Sequence, residues 1–201
     1  MKLSLESNCI KDYLQKTPIV NYEDDEIQAL ADKIKKASQN ELECIQKTYE
    51  YVRDQISHSA DIMASTINFK ASDVLVNKHG ICFAKSNLLA ALLRYLGIPT
   101  GFCYQRLILD DEKYPYLVLH GLNGVYIEQL QKWIRLDARG NTSGINAQFS
   151  LQEEILAFPI RTDLGEEDCP IIFTNPNINV INAMNTYKTR RELWSHLPQQ
   201  L

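Results

Sequence analysis

The chain has 201 residues, 45% of them hydrophobic and 23% charged, which is long enough for one packed domain and ordinary for a globular protein. Its 21 basic and 25 acidic residues leave a net charge of −4, a balance that argues against nucleic acid or an anionic membrane surface as a partner. No stretch has the length of a membrane span, and residues 1–10 lack the charged-then-apolar order of a signal peptide.

Residues 23–36 are predicted to be helical. Ile27, Leu30, Ala31 and Ile34 form an apolar stripe. Glu23, Asp24, Asp25 and Glu26 crowd the start and Lys33, Lys35 and Lys36 the end, as the helix dipole favours. A second helix is expected over 41–56, with Leu42, Ile45, Tyr49, Val52 and Ile56 on one face and Asn40 with Glu43 as a capping pair. Residues 72–78 read as a short helix capped by Ser72, and Gly80 is placed to break it in a left-handed conformation. The next helix, 82–95, carries Ala84, Leu88, Leu89, Ala91, Leu92 and Leu93 over more than one stripe, so burial on several sides is expected. Gly97 and Pro99 stop it. Strands are predicted over 100–109, 116–128 and 132–136, and three in succession after a buried helix suggest an antiparallel sheet wrapped around it. The tail from Asp163 reads as loop, with Gly165, Pro170 and Pro176, followed by a last helix over 179–196. The whole, 1–201, is expected to be a single α+β domain with its core at about 41–141, helices before it in 1–40, and a tail, 142–201, that packs back on the sheet.

The cysteines (Cys9, Cys44, Cys82, Cys103, Cys169) are odd in number, scattered, and form no Cys-x-x-Cys pair. A structural zinc site is therefore not expected, and the usage fits a reducing cytoplasm. No cofactor is called for. Cys82 stands apart because it opens the apolar helix two residues after Gly80. Free amides and the positive dipole end at a helix start favour a thiolate, and the same amides can hold an oxyanion. Lys78 and Lys85 would add positive charge. The other role for such a thiol is that of a small buried hydrophobe.

A cysteine nucleophile needs a base and the base an orienting group. Of the four histidines (His58, His79, His120, His196), His120 sits in an apolar strand, Leu117-Val118-Leu119-His120-Gly121. His79 is too near Cys82 in sequence to reach back, and His196 lies in the tail. A core position is the alternative for His120. A hairpin centred between Glu128 and Gln129 would set Asp137 directly opposite His120 on the same face, a register that a bulge near Asn123-Gly124 would shift by a residue; Asp137 could otherwise be a loop cap.

Gly80-Ile81-Cys82 opening a helix, Arg94-Tyr95-Leu96-Gly97-Ile98-Pro99 closing it, His120, and Trp133-Ile134-Arg135-Leu136-Asp137 together resemble the transglutaminase-like superfamily. Tyr51-Val52-Arg53-Asp54-Gln55-Ile56 is similar to the helix that precedes its core, so the resemblance runs from about Tyr49 to Asn141. It implies a papain-like fold, with Cys82 as nucleophile, His120 as acid and base, and Asp137 as orienter. Leu122 and Ala138 depart from the family, which often has an aromatic residue and a proline there; both leave the substrate class open. The chain is too short for the sandwich domains of the large calcium-dependent animal members and has no loop of calcium-ligand spacing, so it looks like the bacterial stand-alone type.

The expected activity is hydrolysis or acyl transfer at amide bonds of a peptide or protein, through a thioester. Gln105 and His58 are candidates for the second oxyanion donor, and Tyr104 and Trp133 for walls of the cleft. Two other readings exist: a catalytically silent binding module on the same fold, and a mononuclear metal site using the Cys, His and Asp. The helix-start glycine and the strand pairing favour catalysis over a metal.

Overall fold

A computed structural model describes residues 1–110 and 114–201. In chain order its elements are β1 (Ser4–Leu5), a 3-10 turn (Ile10–Leu14), α1 (Asp25–Lys36), α2 (Glu41–Gln55), β2 (Ser57–His58), α3 (Ala71–Asn77), β3 (His79–Gly80), α4 (Cys82–Tyr95), β4 (Thr100–Asp110), β5 (Tyr114–Ile127), β6 (Lys132–Leu136), β7 (Glu167–Asp168), β8 (Ile171–Ile172), α5 (Ile178–Thr186) and α6 (Arg190–Trp194). The two N-terminal helices start where their caps dictate. Asp24 accepts the amides of Glu26 and Ile27, and Asn40 accepts that of Glu43.

The packing follows from α4, whose side chains from Phe83 to Arg94 are buried all round. Helices α1, α2 and α3 lie against it, and β4 and β5 pack on it as well. Each leucine so enclosed contributes about 1.5–3 kcal/mol relative to an exposed one. The sheet is antiparallel in the order β6-β5-β4-β7. It is an α+β, papain-like arrangement: a central helix with a cysteine at its N-terminus, an antiparallel sheet, and flanking helices. Glycines mark where the layers touch. A Cβ on Gly121 would lie 2.6 Å from the Phe83 ring of α4, while Cβ atoms on Gly101 and Gly124 would meet Ile172 at 2.5 and 2.8 Å on the opposite face. That opposite face carries a small cluster of Tyr13, Cys103, Leu122 and Ile172. Among the described residues no helix is long and apolar enough to cross a membrane.

Several expectations are corrected. Helix α3 begins at Ala71, and Ser72 does not cap it; instead Asn21 accepts the Ser72 amide at 3.2 Å and donates to the Ser72 hydroxyl at 3.0 Å, a cap supplied from another part of the chain. The left-handed residue after α3 is Lys78, at φ 58°, and not Gly80. Gly80 is needed for space, because a Cβ there would come within 2.8 Å of the Ala84 Cβ. The last helix is two, since Thr189 starts α6 afresh with a reciprocal capping box to Glu192. The tail does return to the sheet, where β7 pairs with Gln105 and Arg106 of β4.

The β5–β6 register is also corrected. Asn123 stands opposite Leu136 and Gly124 opposite Arg135, so the hairpin is two residues away from the predicted pairing. An even offset preserves the face on which each side chain lies. Asp137, just past β6, is thus a diagonal neighbour of His120 and not its direct partner.

Candidate active site

Pairing of β2 with β3 sets His58 beside Gly80 and holds the chain straight into α4. The cap residue, Ile81, is extended, and the first helical hydrogen bond is from the Lys85 amide to the Ile81 carbonyl at 3.0 Å. The amides of Cys82, Phe83 and Ala84 precede that bond, so they are the free donors of the helix start. Cys82 itself is partly exposed and, like the other four cysteines, a free thiol.

His120, 2% exposed, joins the thiol to the carboxylate. Its Nε2 bonds Asp137 Oδ2 at 2.8 Å, and Cys82 lies within electrostatic reach of the imidazole, so Nδ1 is the ring nitrogen left available for the sulfur. Burial alone would push the imidazole pKa down. The Asp137 carboxylate and Cys82 reverse that and raise it to about 10. For Asp137 burial acts upward, but the imidazole charge and hydrogen bond, with the amides of Arg139 and Ala157, hold its pKa below the ordinary value. Those amides donate to Oδ1 and Oδ2, each at 3.0 Å, and the Tyr49 hydroxyl donates to the Asp137 backbone carbonyl at 3.1 Å. Two donors on Oδ2 and one on Oδ1 fix the carboxylate's orientation, and the imidazole is aimed. The Phe158 ring closes its edge, centroid to centroid at 5.0 Å.

The remaining candidates divide. His58 is buried, and burial together with the positive charges of Arg139 and Lys85 lowers its pKa well below 6.5, so it is neutral and carries a single N–H. Its Nδ1 has no hydrogen-bond partner among the described residues. Gln105 lies directly across from His120 on β4, but its Nε2 donates to Asp168 at 3.0 Å, and Asp168 is in turn held by Arg135 at 2.6 Å. Tyr104 is a buried support and not an open wall, because its ring sits near Phe83 and Phe173 and its hydroxyl accepts the Asn177 amide at 2.7 Å. Trp133 is not brought to the thiol; it packs on Tyr13 at 4.8 Å with the small cluster on the other face of the sheet. Both lysines are engaged by other partners. Lys78 bonds the Tyr51 hydroxyl at 3.0 Å, and Lys85 is fully buried with its Nζ on the carbonyls of Arg53 and Ile56. Residues that hold Asp137 (Tyr49 and Ala157) and His120 (Phe158) had no signal in the sequence, because their contribution is a backbone amide, a hydroxyl or a ring edge brought in by the fold. Among the described residues no three His, Cys, Asp or Glu side chains are grouped to hold a metal ion.

A cysteine at the start of a central helix, joined through a strand histidine to a buried aspartate, defines the papain-like class of fold. The sequence matches the transglutaminase-like superfamily over residues 28–138, more than half of its length, and the chain belongs to that superfamily. No curated protein sequence matches it. Among solved structures it is similar to one described as a candidate cysteine protease from Cytophaga hutchinsonii, at 19% identity, over 66% of this chain and 43% of that one, with a TM-score of 0.54. It also matches the periplasmic domain of TgpA from Pseudomonas aeruginosa, at 19% identity, over 63% of this chain and 46% of that one, with a TM-score of 0.45. At such identities the likeness is one of fold, and the chain spans less than half the length of either.

Proposed function

We infer that the protein is a cysteine-dependent hydrolase or acyltransferase of amide bonds in a peptide or protein. The observation that carries this reading is the His120 imidazole, buried, hydrogen-bonded through Nε2 to Asp137 Oδ2 and within electrostatic reach of Cys82 at the start of α4. His120 Nδ1 takes the proton of Cys82, giving a thiolate and an imidazolium whose charge Asp137 stabilises. The thiolate attacks the amide carbonyl. Negative charge on its oxygen is received by the Cys82 amide and, as second donor, by the N–H of neutral His58. His58 suits this better than Gln105, whose amide nitrogen is already engaged with Asp168. His120 then protonates the departing amine, leaving a thioester on Cys82. Water completes hydrolysis, or a second amine completes transfer.

The test is trapping. Purified protein incubated with casein and quenched in acid is expected to carry a substrate-derived mass on the peptide containing Cys82, removable by hydroxylamine. Cys82→Ala should retain the fold, carry no adduct and show no turnover. Turnover in Cys82→Ala equal to that of the wild type would overturn the reading.

A further inference from the structure

β5 runs from Tyr114 to Ile127, but β6 covers only its Asn123–Ile127 part. His120 lies on the stretch that β6 leaves uncovered. There the edge is met by segment 187–200. The Leu119 amide, next to His120, donates to the carbonyl oxygen of Pro198 at 2.7 Å, and Leu197 and Pro198 are buried. An amide that donates outward is not donating to β4, so the segment lies along the edge away from β4. The segment is fastened elsewhere too. The backbone amide and Nε of Arg190 donate to the carbonyls of Ser65 and Ala64, each at 2.7 Å. Leu193 is in the core, and the Trp194 ring meets His58 edge-on at 6.4 Å. The segment therefore touches both flanks of the thiol–imidazole pair, His58 on one side and the neighbour of His120 on the other.

An open sheet edge accepts any extended peptide through main-chain hydrogen bonds. Pro198 has no N–H, so at this point the segment can accept from the edge but cannot donate to it. A strand with any other residue there makes a bond that the segment lacks. We propose that the β5 edge at Leu119 is the docking site for the backbone of an extended peptide substrate, and that segment 187–200 occupies it until substrate displaces it. This rests on the reading of Cys82 and His120 as the reacting pair.

The test uses the full chain with two substitutions outside the reacting groups. Leu197→Ala loosens the segment from within the core, and Arg190→Ala releases it at Ala64 without touching the core. In each folded variant, checked by circular dichroism, the Leu119 amide should exchange with deuterium at least about tenfold faster than in the wild type. Iodoacetamide should alkylate Cys82 faster by a similar factor. An acetylated, amidated peptide of residues 191–201, added in excess, should bind the variants and reverse both changes. Unchanged exchange and alkylation in both variants would overturn the proposal, as would faster exchange that the peptide does not slow. Alkylation no faster than that of free cysteine, with exchange faster and restored by the peptide, would instead overturn Cys82 as nucleophile and leave the docking edge standing.

Discussion

Asp137→Asn tests the site at the point where its charge is set. Asp137 is 1% exposed, and its Oδ2 accepts from both His120 Nε2 and the Ala157 amide, while Oδ1 accepts the Arg139 amide. An asparagine has one oxygen for these three donors. Placed at the Oδ2 position, it keeps two of the bonds and turns its NH2 towards the Arg139 amide. The opposite placement sets NH2 against two donors, so the first is preferred and the imidazole keeps its position. What is lost is the negative charge. A hydrogen bond to a charged group contributes about 1.5–3 kcal/mol, which at 1.36 kcal/mol per pK unit is a fall of roughly one to two units in the His120 pKa. The alkaline limb, where the imidazolium loses its proton, should fall from the wild-type position near 10. A proton–nitrogen NMR titration of the His120 ring reads it directly. The same 1.5–3 kcal/mol lowers the thiolate–imidazolium fraction against the neutral pair, so turnover should drop by about 10- to 100-fold. An alkaline inflection within roughly 0.3 units of the wild type, a difference of about 0.4 kcal/mol, would refute the assignment of Asp137 as the residue that sustains the imidazolium.

Three further outcomes are expected. His58→Ala, if the ring N–H receives the oxyanion, should lower kcat by about 10²- to 10³-fold with little change in KM; steady-state kinetics within twofold of wild type would exclude that role. Gly80→Ala forces a Cβ to 2.8 Å from Ala84 and should cost about 1–3 kcal/mol by thermal denaturation, together with slower alkylation of Cys82, because α4 starts two residues later. Lys85 is buried, and burial and the Arg139 charge lower its pKa from 10.5 to about 7. Between those values the unfolded chain holds a proton that the folded one does not, so the Lys85 contribution makes folding more favourable as pH rises from about 7 to 10.5. The stability difference between wild type and Lys85→Met, from urea titrations, should therefore grow with pH in that window, by up to about 1.4 kcal/mol per unit; a constant difference would contradict a lowered Lys85.

Local rules explain what was legible in advance. Asn40 caps its helix as the sequence predicts, because a side-chain oxygen three residues from an amide needs no help from the rest of the chain, whereas Asp24, expected inside the first helix, is its cap. Ser72 is not the cap because α3 begins one residue earlier, at Ala71, and Asn21, fifty-one residues back in the chain, accepts the free Ser72 amide. Gly80 was read for its backbone freedom, whereas its requirement is steric and comes from Ala84 across a helix start. The hairpin register was missed by two residues because Glu128, Gln129 and Leu130 form a 3-10 turn ahead of left-handed Gln131, a geometry that composition does not specify. Lys85 is expected from the sequence to add positive charge at the thiol; its burial against the carbonyls of Arg53 and Ile56 depends on where α2 ends in space.

The order Cys82, His120, Asp137 and the helix and strands that bear them are properties of the sequence, because apolar spacing, capping and strand alternation act over a few residues. The helix start exposes its amides wherever it is placed, so the chemistry available to Cys82 was also legible. Contact between the three was decided by the fold. A diagonal strand register, the amides of Arg139 and Ala157 and the edge of Phe158 aim the imidazole, and none of these is encoded near His120. The pairing of Leu119 with Pro198 joins residues 79 positions apart. A hydrogen bond over that distance exists only after the core has closed, when burial has already offset the entropy of bringing the two segments together.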